Sequence, residues 1–222
     1  MDTRDTAPDA ASEAAGRLAQ IVAAADVDEV RRLYDDWADA DEDVDVDVAA
    51  LMGHPSAARV ADLVTELAGP GADVLDAACG TGLVGAALAE RGFTSIDGLD
   101  LAPGMIRRAR RRRVYHDLGP ADLRDGVPGA SGKFDVVTCR GALAPNHLGP
   151  AALAGFVRVA RLGGVVVAAV DDETWVAQDY AGTVERLGRQ GLVRRLEATE
   201  PGLLVLEVCA AGPAVPSVTW RS

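Results

Sequence analysis

Three features between Val74 and Asp100 can act on a ligand together. Asp76 ends a short apolar run, Val74-Leu75. A turn with little side chain follows, Cys79-Gly80-Thr81-Gly82. Asp100 closes a second run, Ser95–Leu99. Between them, Leu83–Arg91 has helical composition and stops at Gly92. Strand, glycine turn, helix, strand and acid make the opening βαβ unit of a nucleotide-binding fold. Glycines stand where the backbone must approach a ligand, and an acid stands where a ribose would sit.

The type of nucleotide follows from Asp76. Gly80, Gly82 and Gly85 satisfy G-x-G-x-x-G, a pattern shared with dinucleotide-binding proteins. A carboxylate beside the turn repels a pyrophosphate, which needs helix N–H groups and no adjacent negative charge. It suits a ligand with a cationic amino group and a positive sulfur. S-adenosyl-L-methionine (SAM) carries both and has no phosphate.

Asp76-x-x-Cys79-Gly80-Thr81-Gly82 resembles the first motif of the class I SAM-dependent methyltransferases. Asp100-Leu101-Ala102-Pro103-Gly104-Met105 resembles their second motif, and Ala121-Asp122-Leu123 their adenine-contacting segment. A narrower likeness is to the methyltransferase-like proteins named after the Williams–Beuren chromosomal region and their bacterial relatives. It rests on Leu33–Ala38, Gly92-Phe93, Ile96–Leu101, Val114-Tyr115 and Phe134–Val137, and spans roughly residues 30–210. The resemblance implies a doubly wound α/β sheet of seven strands, the last antiparallel, and N-terminal helices as a lid. It also implies that Gly80 and Gly82 let the backbone approach the cofactor, with Asp76 and Cys79 in the same motif. Asp100 would accept from both ribose hydroxyls, and Leu101 and Met105 would flank the adenine. Asp122 would accept from the adenine amino group, and the Leu123 N–H would meet a ring nitrogen. Departures from the family pattern are Asp41, Gly53-His54 and Leu162, which fall near the lid and the acceptor side.

Methyl transfer from a sulfonium is a displacement with an activated leaving group, so alignment matters most. A base is needed only where the acceptor must lose a proton. His147, past the fourth strand, and His54, before the Ala57 helix, are the two candidates. Arg140 joins the cofactor set at the end of the fourth strand, and Arg140, Asn146 and Trp175 are candidates to line an acceptor pocket. Cys79 and Cys139 read as small buried residues. The scaffold alone also admits a non-methylating cyclase or eliminase, or a binding protein without turnover.

The surrounding chain must position this unit. Its 222 residues suit one domain, 13–222, after a disordered tail, 1–12, with N-terminal helices over 13–70 and the nucleotide-binding sheet over 71–222. Net charge is −12, which opposes general binding to nucleic acid or anionic membrane, so a small-molecule acceptor is expected, with a protein acceptor left open. No apolar run is long enough for a bilayer, and Met1–Ala15 is acidic and Ala-rich, unlike a signal peptide. The three cysteines are too few and scattered for a disulfide framework or a zinc site. A reduced, cytoplasmic setting is expected. Lys133 is the only lysine, and no tyrosine has a lysine four places on, so the short-chain dehydrogenase pair is absent. The eight acids in Asp35–Asp47 read as a solvated loop. They fail as a calcium loop because Val48 stands where glycine is needed and His54 where glutamate is needed. Arg107–Arg113 reads as the solvent face of a helix, paired with those acids within a chain or between the chains of a homodimer.

Helices are expected over Ala14–Ala25, Asp28–Ala38, Ala57–Ala68, Ala102–Arg113, Pro150–Leu162 and Tyr180–Gln190. Further strands are expected at Val114–His116, Lys133–Cys139, Val165–Val170, Leu203–Cys209 and Val215–Trp220.

Overall fold

Strand β1, Asp73–Ala77, is buried from Val74 onward and has a parallel partner on each side. β2 (Ser95–Asp100) lies on one side and β4 (Phe134–Cys139) on the other. The register sets Asp76 opposite Gly98 of β2 and Thr138 of β4. With β3 (Asp117–Pro120), β5 (Ala160–Ala169), β6 (Val193–Leu196) and β7 (Leu203–Val208), the sheet runs β3-β2-β1-β4-β5-β7-β6. β7 is antiparallel to both β5 and β6, as the resemblance implied. Strand order reverses at β1, and ligands of open α/β sheets bind in the crevice at such a switch point. The computed structural model describes residues 10–40, 53–144, 147–197 and 201–211.

Both faces of a parallel sheet must be covered. On one face α3 (Ala57–Ala68) and α4 (Leu83–Glu90) pack Val60, Val64 and Leu88 over Val74, Ile96 and Val136. On the other, α6 (Ala152–Val159) and α8 (Tyr180–Arg189) pack Phe156 and Leu187 over Leu75, Leu99 and Val137. Ser56 starts α3 by accepting the Arg59 N–H, and Asp179 starts α8 by accepting the Gly182 N–H.

α1 (Ala10–Val22) and α2 (Val27–Ala40) form a separate cluster of Ile21, Val30 and Trp37, and Leu101 at the end of β2 packs against it. α2 is tied to α5 (Pro103–Arg111). Asp35 Oδ1 accepts the Gly104 N–H at 2.6 Å, the Arg108 Nε donates to the Ala38 carbonyl, and Arg107 pairs with Asp39 at 2.6 Å. Part of the expected arginine–acid pairing is therefore intramolecular. Both side chains of the Arg107–Asp39 pair are exposed, so Arg107→Ala should lower unfolding free energy by at most about 1 kcal/mol in a denaturant titration.

Several elements differ from expectation. Val114–His116 is not a strand: pairing begins with the His116 N–H on Ile96 O, and β3 starts at Asp117. The Val-Tyr-His run reflects the inward side chain of Tyr115. The helix after Pro150 ends at Val159, and β5 starts at once. Gly163 and Gly164 lie inside β5, where its register against β4 shifts. A Cβ on Gly164 would stand 2.8 Å from the Asp135 carbonyl. α7 (Asp172–Ala177), capped by Asp171 on the Thr174 N–H, and β6 were not expected. The stretches Val215–Trp220 and Asp41–Asp47, and Asn146, lie outside the described residues.

Candidate functional site

The strand ends at the switch point open into a cleft of about 1050 Å³, its mouth included. Asp76, Cys79, Gly80, Asp100, Leu101, Met105, Asp122, Leu123, Arg140 and His147 all line it. Residues from five separate stretches of sequence thus converge on one cavity.

The turn is built by unusual backbone. Ala78, Gly80 and Gly82 all have positive φ (57°, 54° and 86°), and the Cys79 N–H is held by Leu99 O at 2.9 Å. A non-glycine residue in this region costs roughly 1–2 kcal/mol, and such strain gathers at ligand sites. A Cβ added to Gly80 would meet no atom within 4 Å, so the bare backbone there faces the open cleft.

Gly82 departs from the expected role. A Cβ on it would sit 3.0 Å from both Arg112 Cδ and Tyr115 Cε2. Its smallness serves packing beneath the turn, and it does not line the cleft.

Asp100 accepts the Gly80 N–H on Oδ2 at 2.8 Å and the Ala102 N–H on Oδ1 at 2.9 Å. These bonds, with a third from the Leu101 N–H, fix the carboxylate across the mouth of the turn. Asp76 accepts the Tyr115 hydroxyl at 2.7 Å and the Thr138 hydroxyl at 3.1 Å. It also accepts the Gly85 N–H, in the first turn of α4. That donor is one a pyrophosphate would require, and the protein's own carboxylate takes it. Burial pushes both acids up to about 6, against the hydrogen bonds that favour their charged forms. Two buried carboxylates around an open turn suit a cationic nucleoside. Cys79 and Cys139 are buried, and burial raises both thiols, so neither is a ready nucleophile.

Asp122 is engaged from within the chain. Arg124 donates from Nε and Nη2 to both of its oxygens, at 3.0 and 2.6 Å, and this pairing lowers the Asp122 carboxyl below its usual range. Arg140 donates from Nε to the Pro55 carbonyl while lining the cleft.

The roof comes from α2, through Val27, Val30 and Tyr34. Tyr34 Oη lies 3.0 Å from His147 Nε2, with the two rings edge to face at 5.9 Å. Burial raises the Tyr34 hydroxyl well above its ordinary range, so it stays protonated. Tyr34 thus connects the N-terminal helices to the loop after β4, across the cleft. In the sequence Tyr34 stands within the expected helix Asp28–Ala38, which gives no sign of this contact.

Two expected residues are elsewhere. His54 is buried at 5% exposure and does not line the cleft. Trp175 stacks on Tyr180 and lies under the Arg195 guanidinium, with no part in the cleft. Short-range sequence spacing does not determine where α7 or the segment before α3 docks.

A sequence profile described as a methyltransferase domain matches residues 74–164. Human methyltransferase-like protein 27 is 32% identical over 194 residues, covering 85% of this chain and 76% of that protein. A dTDP-3-amino-3,6-dideoxy-alpha-D-glucopyranose N,N-dimethyltransferase from Streptomyces fradiae is 36% identical over 145 residues, covering 61% of this chain and 54% of that protein. Among solved structures, a TehB-like SAM-dependent methyltransferase from Corynebacterium glutamicum superposes with a TM-score of 0.56 at 22% identity. The match covers 68% of this chain and 88% of that one.

Proposed function

The chain belongs to the class I SAM-dependent methyltransferases, and from that premise we propose that it methylates a small-molecule acceptor held between α2 and His147. The observation that carries this reading is the roofed cleft. Tyr34 meets His147 over a cavity whose floor is the glycine turn, so the acceptor side admits a compact molecule more readily than a polymer. The net charge of −12 points the same way, against nucleic acid and anionic membrane as partners. The Streptomyces fradiae relative, whose name describes a sugar derivative as substrate, also supports it.

When bound, SAM supplies a methyl group on a positively charged sulfur, already activated for displacement. The protein's part is to hold and align. In this reading Asp100 accepts the ribose hydroxyls. Gly80 presents bare backbone to the methionine portion, and Leu101 and Met105 flank the adenine. Asp122, held by Arg124, and the Leu123 N–H meet the adenine edge. Asp76 offers negative charge to the cationic end. Among the described residues no helix is long and apolar enough to cross a membrane, in keeping with a proposed cytoplasmic site of action.

His147 is proposed to take the acceptor proton where one must be lost. Nε2 is in contact with the Tyr34 hydroxyl, so an entering acceptor would exchange with it. Formation of S-adenosylhomocysteine across a panel of amines, phenols and acidic carbon compounds tests the reading. Turnover without that product would replace it by a cyclase or eliminase. With an acceptor in hand, His147→Ala should lower turnover by about 10²–10⁴ and leave SAM affinity within about threefold. A loss under tenfold would leave His147 as a roof contact only.

A further inference from the structure

Tyr115 lies outside the cleft, yet the cofactor turn is built around it. A Cβ on Gly85 would stand 2.3 Å from both Tyr115 Cζ and Oη, one on Gly98 2.9 Å from Cε1, and one on Gly82 3.0 Å from Cε2. Three glycines, from the turn, α4 and β2, therefore leave the space that one phenol ring fills. The ring is aimed: its hydroxyl donates to Asp76 Oδ2 at 2.7 Å. One turn earlier, Arg112 donates from Nε to the Thr81 carbonyl at 2.6 Å. Arg113, between them, has a left-handed φ of 58°. The Arg112–Tyr115 connection thus reaches under the glycine turn at two points. The second and third glycines of G-x-G-x-x-G are accounted for by this ring, with no pyrophosphate needed.

We propose that Tyr115 is a positioning residue of the cofactor site, whose hydroxyl holds the Asp76 carboxylate ionised and oriented toward the cationic end of SAM. The inference rests on the SAM reading above. A hydrogen bond to a charged acceptor favours the charged form, and Asp76 has few sources of such help. Thr138 of β4 and the Gly85 N–H of α4 are its other donors. The titratable groups that face it are Asp100 from β2, Cys79 from the turn, Cys139 from β4 and Tyr115 itself. Asp100 disfavours its charge. Both thiols and the phenol are raised above their ordinary ranges and stay neutral near pH 6.

Tyr115→Phe keeps the ring between the glycines and removes only the O–H. In the cofactor-free protein, the Asp76 side-chain carboxyl followed by carbon NMR should titrate about one pH unit higher, the tenfold change in proton affinity expected for one lost charged hydrogen bond. SAM affinity should then fall about fivefold relative to wild type at pH 6, and less than twofold at pH 8. Asp100 titrates in both proteins, so the difference between the two profiles reports on Asp76. Thr138→Val, which leaves the tyrosine in place, should shift the same titration in the same direction. Superimposable Asp76 titrations in wild type and Tyr115→Phe would overturn the proposal. A shifted titration with an affinity ratio constant from pH 6 to 8 would overturn its cofactor half and leave the SAM reading standing. A wild type with no SAM affinity at any pH would remove both.

Discussion

Asp100→Ala is expected to weaken SAM binding by roughly 10–150-fold, the equivalent of about 1.5–3 kcal/mol for a lost hydrogen bond to a charged group. The size follows from how the carboxylate is held. The Gly80 and Ala102 N–H groups fix both oxygens at 2.8 and 2.9 Å, so no rotamer freedom is lost when ribose hydroxyls arrive. Removing the side chain deletes the acceptor and leaves the Gly80 N–H without its partner, which also loosens the turn. Asp100→Asn, isosteric but with one N–H₂ facing a backbone donor, should fall between alanine and wild type. Calorimetric titration with SAM and S-adenosylhomocysteine reads the effect, and both ligands should lose similarly because they share the ribose. Unchanged affinity in the alanine variant would remove Asp100 from the cofactor site.

The contrast between Asp100 and Tyr34 shows what the sequence makes legible. Asp76, the turn and Asp100 lie within one βαβ unit, where strand and helix geometry convert spacing directly into proximity. The alternation of strands and helices gave the sheet for the same reason. Tyr34 reaches the cleft only because α2 docks on α5 through Asp35 and Gly104, a contact across 69 positions. Nothing in the helical spacing of α2 encodes that docking. Gly82 and Gly85 are an intermediate case. Sequence shows that side chains are excluded there, but the excluding group, Tyr115, comes about thirty residues later. The same tyrosine made Val114–His116 resemble a strand, because an inward aromatic is a mark of both. His54 was placed by nearness to the start of a helix, and that gives no direction in space.

Acidification from pH 7 to pH 5 is expected to move two properties of this protein in opposite directions. Asp76 and Asp100 ionise near 3.8 when unstrained by the fold, and burial pushes each up to about 6 in the native structure. Between those values the folded chain binds more protons than the unfolded chain. Stability of the cofactor-free protein therefore rises as pH falls through 6, and the gain levels off below about 3.8. Above pH 7 the fold carries the whole cost of two buried charges, at most about 3 kcal/mol each for a shift of about two units. Asp122, Asp135 and Asp171 are shifted down, so their contribution is present above their ordinary range and lost only at more acidic pH. They do not oppose the trend between pH 7 and 5. SAM binding goes the other way, because the cation needs Asp76 ionised and the ribose hydroxyls donate best to an ionised Asp100. Each acid passes from about nine-tenths ionised to about one-tenth across this window, so affinity should fall by up to about tenfold per acid and about a hundredfold for both. Calorimetry at pH 5, 6 and 7, beside denaturant unfolding of the cofactor-free protein, measures the pair. A flat SAM affinity over that window, with stability still rising on acidification, would mean that the two carboxylates are buried at the cleft without holding SAM.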